Sequence, residues 1–155
     1  RVIATDSNPN AVESVRRELD RQPPTGVLDV READLFGTHH ERPELIVFNP
    51  PWLRGVPRNP IDQAIYYEEP LFERFFESAH SRIAAGGRLV LLFSTLQQTA
   101  HASAPHPIQD ELDRGGRFSL VDCRRREVQV ASTKTKRRKR DPASEFVELW
   151  ELAPS

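Results

Sequence analysis

Methionine is absent from the 155 residues, and the chain opens at Arg1; we therefore expect a fragment or cropped domain. A lone cysteine, Cys123, excludes an internal disulfide and any metal site built from several cysteines. Adjacent histidines in Thr38-His39-His40-Glu41 read as a solvated turn, so no metal is expected. No apolar run approaches the roughly 20 residues that cross a bilayer, and no signal peptide is visible. The expectation is a cytoplasmic protein with no membrane partner and an oligomeric state the sequence leaves open. Charge of one sign is not in excess: Lys and Arg number 22, Asp and Glu 23, and the formal net charge is -1. Gross charge thus steers toward no partner. Its distribution is uneven, because Arg124 to Arg126 and Lys134 to Arg140 gather positive charge near the C-terminus. A chain of this length suits one compact domain with a real core.

Apolar runs alternate with helical patterns, which argues for βαβ units around a mostly parallel sheet. Val2 to Thr5 reads as a strand ending at Asp6. Asn8-Pro9 reads as an N-cap followed by a first-turn proline. Val12, Val15 and Leu19 share a face of the next helix, and Pro23-Pro24 stops it. Val27 to Val30 is a second strand, leading to Ala33-Asp34-Leu35. Leu45 to Phe48 is wholly apolar, as in a strand covered by helices on both faces. Leu53 to Tyr67 lacks a steady period and reads as a loop over a site. Pro70 opens a helix with a stripe of Leu71, Phe72, Phe75, Phe76, Ala79 and Ile83, ended by Gly86-Gly87. Leu89 to Phe93 is a central strand, and Pro107 to Arg114 a helix. Phe118 to Val121 and Phe146 to Leu152 are strands, with Glu127 to Ala131 continuing or following the first. Lys134 to Ser144 is a basic, polar connection.

The chemistry concentrates at Phe48-Asn49-Pro50-Pro51-Trp52. Consecutive prolines fix φ and remove backbone donors, so the chain turns just beyond the strand's carboxyl end. In open α/β sheets ligands bind at that edge. The turn leaves carbonyl acceptors beside the Asn49 side-chain oxygen, a pairing that suits an NH₂ donor. Trp52 is placed to stack on a planar substrate. Taken alone, an Asn-Pro turn with a packed tryptophan explains the tetrapeptide about as well. Its position after a buried strand and two acidic strand ends shifts the balance toward a site.

Asp6, Ala33-Asp34-Leu35-Phe36 and Phe48-Asn49-Pro50-Pro51-Trp52, in this order and spacing, resemble class I S-adenosylmethionine-dependent methyltransferases that act on amino groups. The overall likeness is to the methyltransferase small domain group, and it spans nearly the whole chain. It is strongest from Arg1 to Gly55. The resemblance implies a Rossmann-like three-layer α/β sandwich, mostly parallel, with an antiparallel last strand. It implies S-adenosylmethionine as cofactor, with Asp6 accepting from the ribose hydroxyls, Asp34 accepting from the adenine amine, and Leu35 beside the ring. Asn49, which the resemblance also counts among the cofactor-binding residues, then orients the substrate nitrogen together with the Pro50 carbonyl, and Trp52 stacks on it. One departure is large. No glycine precedes Gly26, so the family's first central strand and glycine-rich loop are missing from this sequence. Residues 1–155 are thus expected to be a partial catalytic domain, inactive as an isolated piece.

The reaction implied is attack of a planar NH₂ nitrogen on the sulfonium methyl, with no metal. An RNA or DNA base, a protein glutamine and a small molecule all satisfy such a site. The basic run from Lys134 to Arg140 inclines toward nucleic acid, since clustered cations gain affinity by releasing counterions. A rival reading is a non-catalytic domain that keeps the methyltransferase fold and binds RNA or protein. The intact Asn49 to Trp52 turn, with Asp6 and Asp34, speaks against it.

Overall fold

The computed structural model describes residues 1–38, 40–59, 61–101, 103–128 and 145–155. The chain forms two compact units, Arg1–Glu41 and Arg42–Ser155. The basic run from Lys134 to Arg140, and the residues from Gln129 to Ala131 expected to extend a strand, lie outside the described residues.

The first unit is a βαβ arrangement. Strand β1 (Val2–Asp6) and strand β2 (Leu28–Glu32) pair in parallel, Asp6 opposite Glu32. Between them runs helix α1 (Pro9–Arg21). The Asn8 side chain caps it by accepting from the Asn10 N–H at 2.9 Å, and Pro9 occupies the first turn, where no donor is needed. The helix ends at Arg21, just before the diproline. Val12 is buried, whereas Val15 is 42% exposed, so the apolar face is narrower than its spacing suggests.

The second unit is built on a four-stranded sheet in the order β3-β6-β8-β7. Here β3 is Leu45–Phe48, β6 Arg88–Ser94, β7 Phe118–Glu127 and β8 Phe146–Pro154. Strands β3 and β6 are parallel, and β8 runs antiparallel to both β6 and β7. The reversed last strand is the one expected from the sequence.

Helix α2 (Leu71–Arg82) supplies the core stripe: Phe72, Phe75, Phe76 and Ala79 are buried, with Ile83 just beyond. Each of the three phenylalanines and Ile83 contributes about 1.5–3 kcal/mol through burial. Phe76 and Phe118 rings meet at 5.9 Å, tying α2 to β7. The helix stops at Arg82, short of Gly86-Gly87. Those glycines instead shape the turn into β6. Gly86 has φ 75°, and a Cβ on Gly87 would lie 2.9 Å from the Ala84 carbonyl and 3.0 Å from that of Glu44.

Three further expectations change. Strand β3 is not covered on both faces: Ile46 is buried, but Leu45 and Val47 are 55% and 68% exposed. The stretch from Leu53 to Tyr67 is not a plain loop. It holds short parallel strands β4 (Leu53–Arg54) and β5 (Tyr66–Tyr67), with a 3-10 turn at Asp62–Ala64. The helix at Pro107 divides into α4 (Pro107–Asp110) and a π-type turn, Glu111–Gly115. That turn carries a buried carboxylate, Glu111, paired with Arg117.

A buried polar knot joins α4 to the sheet. Glu148, 3% exposed, accepts from the Trp150 indole N–H at 2.9 Å and lies 2.9 Å from His106 Nε2. Arg125 Nε reaches its other oxygen at 2.9 Å. His106 Nδ1 accepts the Gln109 N–H at 3.3 Å, so Nε2 carries the proton and donates to Glu148. Burial alone would raise the Glu148 carboxyl, yet hydrogen bonds from His106 and Trp150 hold it below the usual carboxylate range. A carboxylate lowered in the folded state contributes stability above its unfolded pKa and loses it as pH falls through the lowered folded value. Urea midpoints of wild type should therefore fall faster on acidification below the usual carboxylate range than those of Glu148→Gln. Parallel pH profiles would contradict this assignment.

Candidate functional site

Both acidic residues singled out in the sequence lie at the carboxyl edge of the first sheet. Asp6 ends β1, and Asp34 lies two residues beyond β2. The Ala33 N–H donates to the Asp6 carbonyl at 3.0 Å and carries the parallel pairing up to the turn. Asp6 is exposed. Its Oδ1 accepts the Asn8 N–H at 2.7 Å, so it also steadies the entry to α1. No described residue donates to its Oδ2.

Asp34 opens a turn whose Gly37 N–H donates back to the Asp34 carbonyl at 3.0 Å. Leu35, within it, has φ 52° and is half-buried. A non-glycine residue held there costs roughly 1–3 kcal/mol, and such outliers concentrate where a ligand is gripped. An exposed carboxylate with an open oxygen and an apolar side chain on a fixed turn match the hydroxyls and flat ring of a nucleoside.

Asn49 stands at the carboxyl end of β3, in the second unit. The strand is set from behind, because the Phe48 ring stacks on Phe75 at 4.0 Å and 23°. Pro50 is buried and Asn49 exposed. No described residue hydrogen-bonds the Asn49 side chain or the Pro50 carbonyl. The motif therefore presents acceptors without internal partners. Trp52 is half-buried, and its Nε1 is buried with no partner among the described residues. A buried donor left unpaired costs about 1–3 kcal/mol.

Sequence reasoning missed the contacts that anchor the chain just beyond Trp52. The Leu53 N–H donates to the Ile65 carbonyl at 3.0 Å and the Gly55 N–H to the Tyr67 carbonyl at 2.9 Å. The Arg54 N–H donates to Gln97 Oε1 at 2.6 Å, linking β4 to helix α3 (Leu96–Ala100). The Arg54 guanidinium meets Glu69 at 2.9 Å. Residues so far apart in sequence carry no local signal of these links. Asp6 and Asp34 share one sheet edge, and Asn49 occupies the same kind of edge in the other sheet, where a single sheet had been expected.

The model of the methyltransferase small domain matches residues 1–115. The chain belongs to that family. Solved structures agree on the fold. An rRNA methylase from Streptococcus thermophilus aligns over 99% of this chain and 73% of its own, with TM-score 0.54 and 14% identity. The N-methyltransferase NodS from Bradyrhizobium japonicum WM9 aligns over 100% of this chain and 74% of its own, with TM-score 0.60 and 14% identity. TrmN from Thermus thermophilus gives TM-score 0.54 at 16% identity, over 99% of this chain and 36% of its own. No curated protein matches the sequence. The chain is thus a methyltransferase small domain with an α/β Rossmann-like fold, and NodS has also been solved in complex with S-adenosyl-l-homocysteine. Among the described residues no helix is long and apolar enough to cross a membrane.

Proposed function

We propose that this methyltransferase acts on a planar NH₂ nitrogen, in a nucleic-acid base or a protein glutamine. The observation that carries the reading is the pair of acceptors without internal partners, the exposed Asn49 side chain and the Pro50 carbonyl, on a strand fixed by the Phe48–Phe75 stack.

An amide or exocyclic amine delocalises its lone pair into the neighbouring π system. Two acceptors that take both hydrogens favour a geometry in which that lone pair is turned out of the plane. Asn49 Oδ1 and the Pro50 carbonyl do this in our reading, and Trp52 lies against the planar group. S-adenosylmethionine, held by Asp6, Asp34 and Leu35, supplies an electrophilic sulfonium methyl. The rate gain then comes from alignment of nitrogen with that methyl. The proton leaves the nitrogen after transfer, when it has become acidic. Within this reading a further strand with a glycine-rich loop completes the cofactor site.

The test is labelled-methyl transfer by the full-length protein to a panel of RNA, DNA and glutamine-containing peptide, with the methylated atom identified by mass spectrometry. Label on a ring nitrogen, carbon or oxygen would exclude the NH₂ reading. A second measurement checks the cofactor residues. Asp6→Ala should weaken S-adenosylhomocysteine binding roughly ten- to a hundredfold, since a lost charged-acceptor hydrogen bond costs about 1.5–3 kcal/mol. Turnover at saturating cofactor should survive. Unchanged calorimetric affinity would remove Asp6 from the site.

A further inference from the structure

The loop that follows Trp52 exposes apolar side chains that the protein's own packing does not use. Val56 is 73% exposed, Ile61 77% and Ile65 45%, and the Tyr66 ring beside them also reaches solvent. Single exposed apolar side chains are ordinary on a surface, but this concentration between Val56 and Tyr66 marks a place for a partner.

The backbone beneath them is fixed. Besides the bonds that close β4 on β5, the Arg58 N–H donates to Asp62 Oδ2 at 3.1 Å. Asn59 Oδ1 accepts from the Ile61 and Asp62 N–H groups at 2.9 and 3.0 Å. The Ile65 N–H donates to the Asp62 carbonyl at 2.9 Å, so Ile61 and Ile65 bracket one closed turn. A Cβ on Gly55 would lie 3.0 Å from the Tyr66 ring, and the lack of a side chain there lets the ring lie against the loop. Side chains carried on a preformed backbone bind a partner with little further ordering.

Chain connectivity ties this surface to the Asn49 motif. Leu53 follows Trp52 directly and lies at most about 14 Å along the chain from Asn49. Its N–H bonds the Ile65 carbonyl at 3.0 Å. An extended peptide covers the distance from Asn49 to Ile65 in about six residues.

Charge decides what kind of partner fits. From Leu53 to Glu69 the charged residues are Arg54, Arg58, Asp62, Glu68 and Glu69, two cations against three carboxylates. Arg54 is already paired with Glu69 at 2.9 Å. A nucleic-acid strand would bring its phosphates to a loop of net negative charge, without counterions to release. It would also have no aliphatic side chains with which to cover Val56, Ile61 and Ile65. An apolar stretch of polypeptide meets both conditions.

We propose that this loop is a docking surface for an apolar segment of a protein substrate, within about six residues of the glutamine presented to Asn49. The inference rests on the NH₂-methyltransferase reading and selects the protein glutamine within it.

Two fluorescein-labelled dodecapeptides with a central glutamine serve as probes for the full-length protein. One carries leucine and valine at the flanking positions, the other serine. The apolar peptide should bind at least about tenfold more tightly, and Ile61→Ser combined with Ile65→Ser should erase that preference. Both side chains reach solvent, so the fold should hold, with circular dichroism as the check. Val56→Ser alone should reduce the preference about threefold. In labelled-methyl transfer the double variant should raise KM for the apolar peptide about tenfold and keep kcat, because binding equal in ground and transition states is what it removes. Equal affinity for the two peptides, or a preference that the variants leave intact, would overturn the proposal. So would weaker binding of a single-stranded RNA dodecamer by the double variant, which would make nucleic acid the occupant. A wild-type dimer that the double variant dissociates in light scattering would make it a second copy. A preference lost in the variants, with label on no NH₂ nitrogen, would keep the docking surface and end the NH₂ reading. Label on the glutamine nitrogen with no preference would do the reverse.

Discussion

Replacing Asn49 with alanine is expected to lower turnover at least about a hundredfold, with cofactor affinity kept within about twofold. The side chain lies beyond β3 with no internal partner among the described residues, so its removal costs little in folding. In the proposed reading one of two acceptors that orient the nucleophile is lost, and alignment of the reacting atoms supplies much of the rate. In the proposed reading the main cofactor contacts belong to Asp6, Asp34 and Leu35, which lie in the other unit. The signature is therefore a split: a collapse in labelled-methyl transfer with an unaltered calorimetric isotherm for S-adenosylhomocysteine. Asn49→Asp refines the test, because it keeps an acceptor and changes the charge. Partial activity in Asn49→Asp alongside none in Asn49→Ala would mark acceptor geometry as the essential property. Wild-type turnover in Asn49→Ala would end the assignment.

Much of the fold is legible in the sequence because the signals are local. Asn8-Pro9 specifies a helix start by its own chemistry, and the structure has the cap and the proline where the dipeptide implies. The Phe72, Phe75, Phe76 and Ala79 stripe comes from helical spacing alone. The positions of Asp6, Asp34 and Asn49 after parallel strands come from three apolar runs. The illegible features depend on distant partners. Glu148 reads as one more charge in an alternating strand, and only His106 and Trp150, brought by α4 and by β8 itself, make it a buried anchor. The parallel β4 and β5 are too short to show a period, and their pairing is closed by backbone bonds across an interval of more than ten residues. Leu35 gives no sign of its left-handed φ, since leucine rarely adopts it and only the surrounding turn imposes it. The end of α2 differs from its sequence expectation for a related reason. Glycines near a helix end suggest a C-cap, but here Gly86 supplies a left-handed φ in the turn and Gly87 allows the close approach of backbone at Glu44.

Phe75→Ala should be the most destabilising single change near the site, at about 3–5 kcal/mol. Phe75 is 2% exposed, stacks on Phe48 and meets Phe76 edge-on at 5.5 Å, so truncation leaves a cavity that several rings border. That loss is a large share of the roughly 5–15 kcal/mol by which domains are stable, and the urea midpoint should drop accordingly. Phe76→Ala supplies the comparison. Phe76 is 1% exposed and packs against Phe72 and Phe118, with no ring contact to Phe48. Both variants should lose similar stability. Only Phe75→Ala releases the residue that precedes Asn49, so only it should lower turnover in protein that remains folded, measured at low temperature with folding monitored by circular dichroism. A misplacement of the nucleophile's acceptor by about 1 Å is enough to cost on the order of a hundredfold in rate. Equal turnover in the two folded variants would show that the Phe48–Phe75 stack supports the sheet and does not set the position of Asn49.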